Sequence, residues 1–252
     1  MELTLPVDVL LHIIDLIAAA GDDRNSIRSL QILSQTCKSM VPLCRKHLFS
    51  SLRLDCDSSL KRFGDLFSNN PDIARYVRSL SYRVHNTIRD HELNILDMLK
   101  ERSSLWSIQL SSPKLSWNSL PESIRSSLVS LIHLPTITHL NIYSFIGFPA
   151  MAISSCSNLV DLQLGELYLD FFVEANQVSR SKIPTPVSLN IGAKTPGLAD
   201  LLTSASLHAG GPIVDFSRLQ KVYFEVESRA DISHVYKLII ATRLEYFYLT
   251  SE

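Results

Sequence analysis

One apolar triplet constrains this chain more than any other feature. It has the form Leu-x-x-Ile-x-Leu, as in Leu105, Ile108 and Leu110, and it recurs down the sequence. Further copies are Phe49/Leu52/Leu54, Val77/Leu80/Tyr82, Ile137/Leu140/Ile142 and Leu159/Leu162/Leu164. Looser ones follow at Pro186/Leu189/Ile191, Leu219/Val222/Phe224 and Leu244/Phe247/Leu249. Successive copies start 28, 28, 32, 22, 27, 33 and 25 residues apart. In a chain that is 46% apolar, about one window in ten matches such a triplet by chance. The spacing therefore carries the weight, because each interval is long enough for one strand and one helix.

Segments with helical periodicity fill most intervals: 58–67, 90–102, 122–133, 198–207 and 232–242. In the second, Leu93, Leu96 and Leu99 share a face while Lys100, Glu101 and Arg102 lie off it. A strand–turn–helix unit cannot bury its own apolar face, so it must stack on its neighbours. The predicted class is α/β, with the spacing of an irregular leucine-rich repeat: a solenoid whose parallel strands line a concave face. Such architectures grip other proteins.

A chain of 252 residues, 19% of them charged, can bury most of the surface its unfolded form exposes. The net charge of -1 argues against a protein built to hold nucleic-acid phosphates, which needs a basic excess. Arg45-Lys46 and Lys61-Arg62 read as solvated faces. Cys37, Cys44, Cys56 and Cys156 form no Cys-x-x-Cys pair and have no histidine at zinc spacing, so reduced thiols in a cytoplasmic or nuclear protein are expected. The apolar stretch from Leu3 to Ala20 is interrupted by Asp8, His12 and Asp15. It suits neither a signal peptide nor a membrane span, and no membrane partner is expected.

The first fifty residues read as three helices. Leu5-Pro6 opens the first, where proline's missing N–H costs nothing. Val9, Leu10, Ile13, Ile14, Leu16 and Ile17 then cover more than one stripe, which implies burial on two sides. Gly21 to Asn25 break this helix, and Ser26 is expected to cap a second carrying Ile27, Leu30 and Leu33. A third is expected from Lys38 to about His47. Leu5-Pro6, Val9-Leu10, Ile13, Leu30 through Leu33-Ser34, Cys37-Lys38 and His47-Leu48-Phe49 together resemble the F-box motif, in the divergent form of fungal F-box/leucine-rich-repeat proteins. Met40 stands where many members carry tryptophan, and Val7 replaces the acidic residue common after Leu-Pro. The resemblance implies an F-box over residues 1–50 that docks a Skp-type adaptor, and through it a cullin. Leu5, Pro6, Val9, Leu10, Ile13, Leu33, Cys37, Lys38 and Met40 would contact the adaptor. It implies repeats over 51–252 that hold a protein substrate for ubiquitin transfer.

If the triplets are strands, the alternate positions form an outward row. Its candidate substrate-binding residues are Arg83, Gln109, His139, Asn141, Tyr143, Gln163, Tyr223, Tyr246 and Tyr248. Sparse charge and tyrosines toward the carboxyl end suit protein recognition. The loops 144–149 and 174–186 stand as the competing docking surface. Leu167-Tyr168-Leu169 and Phe171-Phe172 read as repeat core, 176–196 as a long loop or interrupted repeat, and Gly210-Gly211-Pro212 as a break. Without a linker after residue 50, head and repeats are expected to form one rigid body. A solenoid needs a cap, so Ser251-Glu252, directly after a strand, points to a missing cap, a partner's cap or a shortened chain.

Nothing in the sequence assembles catalytic chemistry. There is no Gly-x-Ser-x-Gly elbow, phosphate loop or dinucleotide fingerprint, and neither cofactor nor metal is expected. Asp90-His91-Glu92 reads as a solvated helix start, and His12 as a packed or interface histidine. The alternatives to a ligase receptor are a repeat scaffold whose helical start only caps the repeats, and an unrecognised enzyme.

Overall fold

Parallel strands with short apolar triplets need crossovers to bring each strand beside the last, and the chain supplies them as helices. The computed structural model describes residues 6–19, 24–85, 90–170, 183–192, 213–226 and 245–251. Three helices come first: α1 (Val7–Ala19), α2 (Arg24–Thr36) and α3 (Met40–Leu48). Strands and helices then alternate: β1 (Ser51–Leu54), α4 (Asp57–Asn69), β2 (Ser79–Arg83), α5 (Asp90–Arg102), β3 (Ser107–Ser116), α6 (Glu122–Ile132), β4 (His139–Pro149) and the short α7 (Ala150–Ser154). The strands β5 (Asp161–Gly165), β6 (Tyr168–Asp170), β7 (Ser188–Ile191), β8 (Lys221–Val226) and β9 (Tyr246–Ser251) complete an α/β architecture with one parallel sheet. Its order is β1-β2-β3-β4-β5-β7-β8-β9, with β6 beside the far half of β4.

The triplets set the register. Leu52 pairs with Leu80, and the same row continues through Ile108, Leu140, Leu162, Leu189, Val222 and Phe247. Two residues on, a second row joins Leu54, Tyr82, Leu110, Ile142, Leu164, Ile191, Phe224 and Leu249. From Leu52 to Val222 the first row is at most 2% exposed. Each such side chain is worth about 1.5–3 kcal/mol of burial. The helices cover this face with Leu60 and Phe67 of α4, Ile95, Leu96 and Leu99 of α5, and Ile124, Leu128 and Leu131 of α6. One carbonyl at each joint accepts two successive amides of the next strand. Ser50 O takes Arg78 and Ser79, Trp106 O takes Thr138 and His139, and Gln220 O takes Glu245 and Tyr246.

Three units turn a common corner past the sheet. Lys114, Ser144 and Glu166 have positive φ of 60°, 60° and 48°, a left-handed conformation uncommon outside glycine. Neighbouring units hold it. The buried Ser112 hydroxyl donates to Ser144 O, Ser144 Oγ donates to Glu166 Oε2 at 3.2 Å, and Lys114 Nζ stands 3.7 Å from that carboxylate. Beyond the corner Leu115 pairs with Phe145 and Ile146 with Tyr168. Trp117, Phe145 and Phe148 form an aromatic cluster with centroids 4.8–5.9 Å apart.

Several sequence expectations change here. Residues 144–149, read as a docking loop, are the second half of β4, with Phe145 and Phe148 fully buried. Ser26 does not cap α2, which begins at Arg24 and leaves Ser26 buried inside its first turns. The third helix starts at Met40, two residues after Lys38. Glu92 is 2% exposed and hydrogen-bonds the Tyr82 hydroxyl, so that part of the α5 start is not solvated. Leu167 is core as expected, whereas Tyr168 is exposed. The expected helices at 198–207 and 232–242, Phe171-Phe172, the 174–182 segment and Gly210-Gly211-Pro212 lie outside the described residues.

Candidate functional site

Two surfaces are candidates. The first is the helical head, whose own core is small: Ile14, Leu30 and Cys44 are fully buried, with Ile17, Leu33, Met40, Leu43 and Leu48 packed partly against them. On α1 the buried Ile14 defines the inner side. Val9, Ile13 and Leu16 stand at i, i+4 and i+7 on another side, and they are 40%, 40% and 57% exposed. Val7 on α1, and Ile27 and Ile32 on α2, add further exposed apolar surface. Asp15 ties α1 to α3, its Oδ1 2.8 Å from both Lys46 Nζ and His47 Nε2. Those two hydrogen bonds hold its carboxyl below the usual aspartate range.

The sequence-derived adaptor residues divide accordingly. Val9 and Ile13 are exposed on the stripe, and Pro6, Cys37 and Lys38 are exposed at helix ends. Leu10 is half-buried, while Leu33 and Met40 pack against the head's core. Leu5 lies outside the described residues. A hydrogen bond with Ser39 Oγ at 3.1 Å pulls the Cys37 thiol below its ordinary pKa. His12, read as packed or interfacial, is exposed in this chain.

The second surface is the sheet face opposite the helices. Strand alternation sends every other residue there, and the parallel register aligns them in rows. One row runs Gln109, Asn141, Gln163, Asn190, Tyr223 and Tyr248. The row before it runs Ser107, His139, Asp161, Ser188, Lys221 and Tyr246. So Gln109, His139, Asn141, Gln163, Tyr223, Tyr246 and Tyr248 fall together, as the alternation implied. Arg83 is exposed at the end of β2, two strands from Tyr143.

Tyr143 is half-buried and donates from its hydroxyl to Gln163 Oε1 at 3.1 Å. Its register partner is Gly165, where an added Cβ would lie 2.7 Å from the Tyr143 ring. Glycine there makes room for the ring. Burial, with Asp161 as a second cause, raises the pKa of that phenol. At the carboxyl end Tyr223 and Tyr248 stack with centroids 4.8 Å apart and planes 4° from parallel, and Lys221 Nζ stands 6.0 Å over Tyr246. At the other end Trp106, 44% exposed, meets His139 edge-on at 4.6 Å.

Between these aromatic groups lies an open groove of ≈ 500 Å³ along β4, β5, β7 and β8. Five of its lining residues, Val160, Val187, Ser188, Asn190 and Gln220, were missed from sequence. Asn190 is the middle position of the Pro186/Leu189/Ile191 triplet, and the proline obscured that strand. Alternation applied to this triplet, as to the others, finds it. Among the described residues no helix is long and apolar enough to cross a membrane, and no three His, Cys, Asp or Glu side chains gather as a metal site. Comparison with known proteins finds neither a matching family model nor a matching curated protein.

Proposed function

We propose that this chain is a substrate-receptor subunit of a cullin–RING ubiquitin ligase. In this reading the helical head is an F-box that docks a Skp-type adaptor. The body is an irregular leucine-rich-repeat solenoid whose open strand face holds a protein substrate. Ubiquitin chemistry belongs to the partner subunits, and this chain supplies placement.

One observation carries the reading: an apolar stripe on α1, Val9, Ile13 and Leu16, left exposed beside a head core that among the described residues holds three fully buried side chains. Isolated apolar surface residues are ordinary, but a helical stripe rimmed by polar residues marks an interaction site. The tyrosine-rich, weakly charged strand face supports the substrate half.

The test is capture of a purified Skp-type adaptor. Ile13→Asp is expected to weaken capture at least tenfold, since a buried apolar anchor becomes an unpaired charge at the interface (about 1.4 kcal/mol per factor of ten). Ile13 is 40% exposed, so the substitution also removes part of its packing, and the melting temperature is read beside capture to separate a lost contact from a loosened head. Leu10→Asp is a poorer probe, because Leu10 is half-buried. Capture indifferent to Ile13→Asp would favour a scaffold whose head only covers the β1 edge. The hydrogen bonds from Arg78 and Ser79 to Ser50 O, which join the head's last residues to β2, suit that second reading too.

A further inference from the structure

Ser188 is the shortest polar side chain lining the groove on the strand face. Its register partners are Asp161 on one side and Lys221 on the other, so two longer side chains flank a small one. Strand spacing puts those two about 10 Å apart along the row.

Two features of the groove are uncommitted. Among the described residues Asp161 Oδ1 is buried without a hydrogen-bond partner, and Oδ2 receives one long bond, 3.4 Å, from Gln163 Nε2. A carboxylate oxygen in that state is costly. Oδ1 itself is closed to solvent, so an incoming cation would meet the half-buried Asp161 from the groove side and offset the charge of the carboxylate as a whole. The amides of Asn190, which lines the groove, and of Asn141, beside the groove in the same row, make no hydrogen bond among the described residues. An amide side chain offers one acceptor and donor N–H groups, the same pair that a peptide unit presents. Asn141, Gln163 and Asn190 occupy successive strands, so they span about 10 Å, the length of about three residues of extended chain.

We propose that this groove binds an extended, unphosphorylated protein segment, its main chain held by Gln163 and Asn190 in the groove and by Asn141 beside it, with one lysine or arginine seated on Asp161. The proposal rests on reading this face as the substrate surface and names the substrate class. Charge complementarity selects the occupant: among the described residues no lysine or arginine forms an ion pair with the Asp161 carboxylate, whose register partner on β4 is His139, while the lysine that lines the groove, Lys221, already stands over the Tyr246 ring. A phosphate prefers a forked arginine or several basic groups, and the groove offers neither.

The experiment pans the full chain against a phage-displayed random dodecamer library. Enriched peptides, fluorescein-labelled, are then titrated by anisotropy. Enriched sequences are expected to carry lysine or arginine. Asp161→Asn, nearly isosteric, is expected to bind them about tenfold more weakly, and Ser188→Tyr, which fills the groove, to lose them. Should Ser188→Tyr misfold, Asp161→Asn still decides. Equal binding by Asp161→Asn overturns the proposal. So does enrichment of acidic peptides, tighter binding of a synthetic phosphoserine version of an enriched peptide, or the absence of any enriched peptide. None of these outcomes touches adaptor capture, so the ligase reading then stands or falls separately on Ile13→Asp.

Discussion

Glu92 shows how a single buried polar pair is specified. It sits in the first turn of α5, 2% exposed, against a Tyr82 hydroxyl that is itself in the core. Burial, then the charge and hydrogen bond of Glu92, drive the tyrosine pKa far above its usual value, so the phenol stays neutral and donates. Tyr82→Phe keeps the ring and removes the donor. It is expected to lower stability by about 1–3 kcal/mol, read as a shift in urea midpoint at constant m. An unshifted midpoint would mean that Glu92 is satisfied elsewhere. The pair was legible in part. Tyr82 is the one hydroxyl in its otherwise apolar row, and a buried hydroxyl demands an acceptor. What hid the answer was Asp90-His91-Glu92, where three polar neighbours look solvated although helix geometry turns the third inward. By contrast, the tyrosines and amides of the outer row were readable from alternation alone, because strand side chains have a period of two.

Elements were legible where one period dominates. Helices α5 and α6 and the triplet strands follow their sequence patterns closely, and a register of eight strands follows from where the leucines stand. The corner was not legible, because Ser144-Phe145-Ile146-Gly147-Phe148-Pro149 carries turn residues inside a strand. Its left-handed Ser144 is held by residues 22 and 32 positions away, Glu166 and Ser112. Helix-to-helix contact behind the sheet has a pH signature. His133, ending α6, places Nε2 3.2 Å from Ala152 O of α7, an arrangement in which the neutral ring donates. Burial lowers its pKa from the usual 6.5, with the carbonyl opposing. The folded state therefore holds fewer protons than the unfolded one below about pH 6.5, so stability is complete above that value. It is lost as pH falls from there toward the depressed folded value. The melting temperature is expected to drop between about pH 7.5 and pH 5.5, and by less in His133→Gln. Identical slopes for the two proteins would show that His133 titrates alike folded and unfolded.

At the scale of the whole molecule, stability is unevenly distributed. The body shares one continuous core from Leu52 to Phe224, whereas the head closes around Ile14, Leu30 and Cys44. Phe49 packs against the body's core, so the two meet without a linker. Even so, opening α1–α3 exposes little apolar area, and opening free energy scales with what is exposed. Head amides are therefore expected to exchange with deuterium through a local opening, at least about tenfold faster than those of β2–β5. A partner that binds only the closed head must slow that opening. If the proposed Skp-type adaptor docks there, then at about a hundred times its Kd linkage adds about 2.7 kcal/mol. Exchange in α1–α3 should then slow by about a hundredfold, while β2–β5 stay unchanged. Slowing spread over every element would indicate that head and body open as one unit. Protection confined to the strand face would place the adaptor on the groove and overturn the division of labour between the two surfaces.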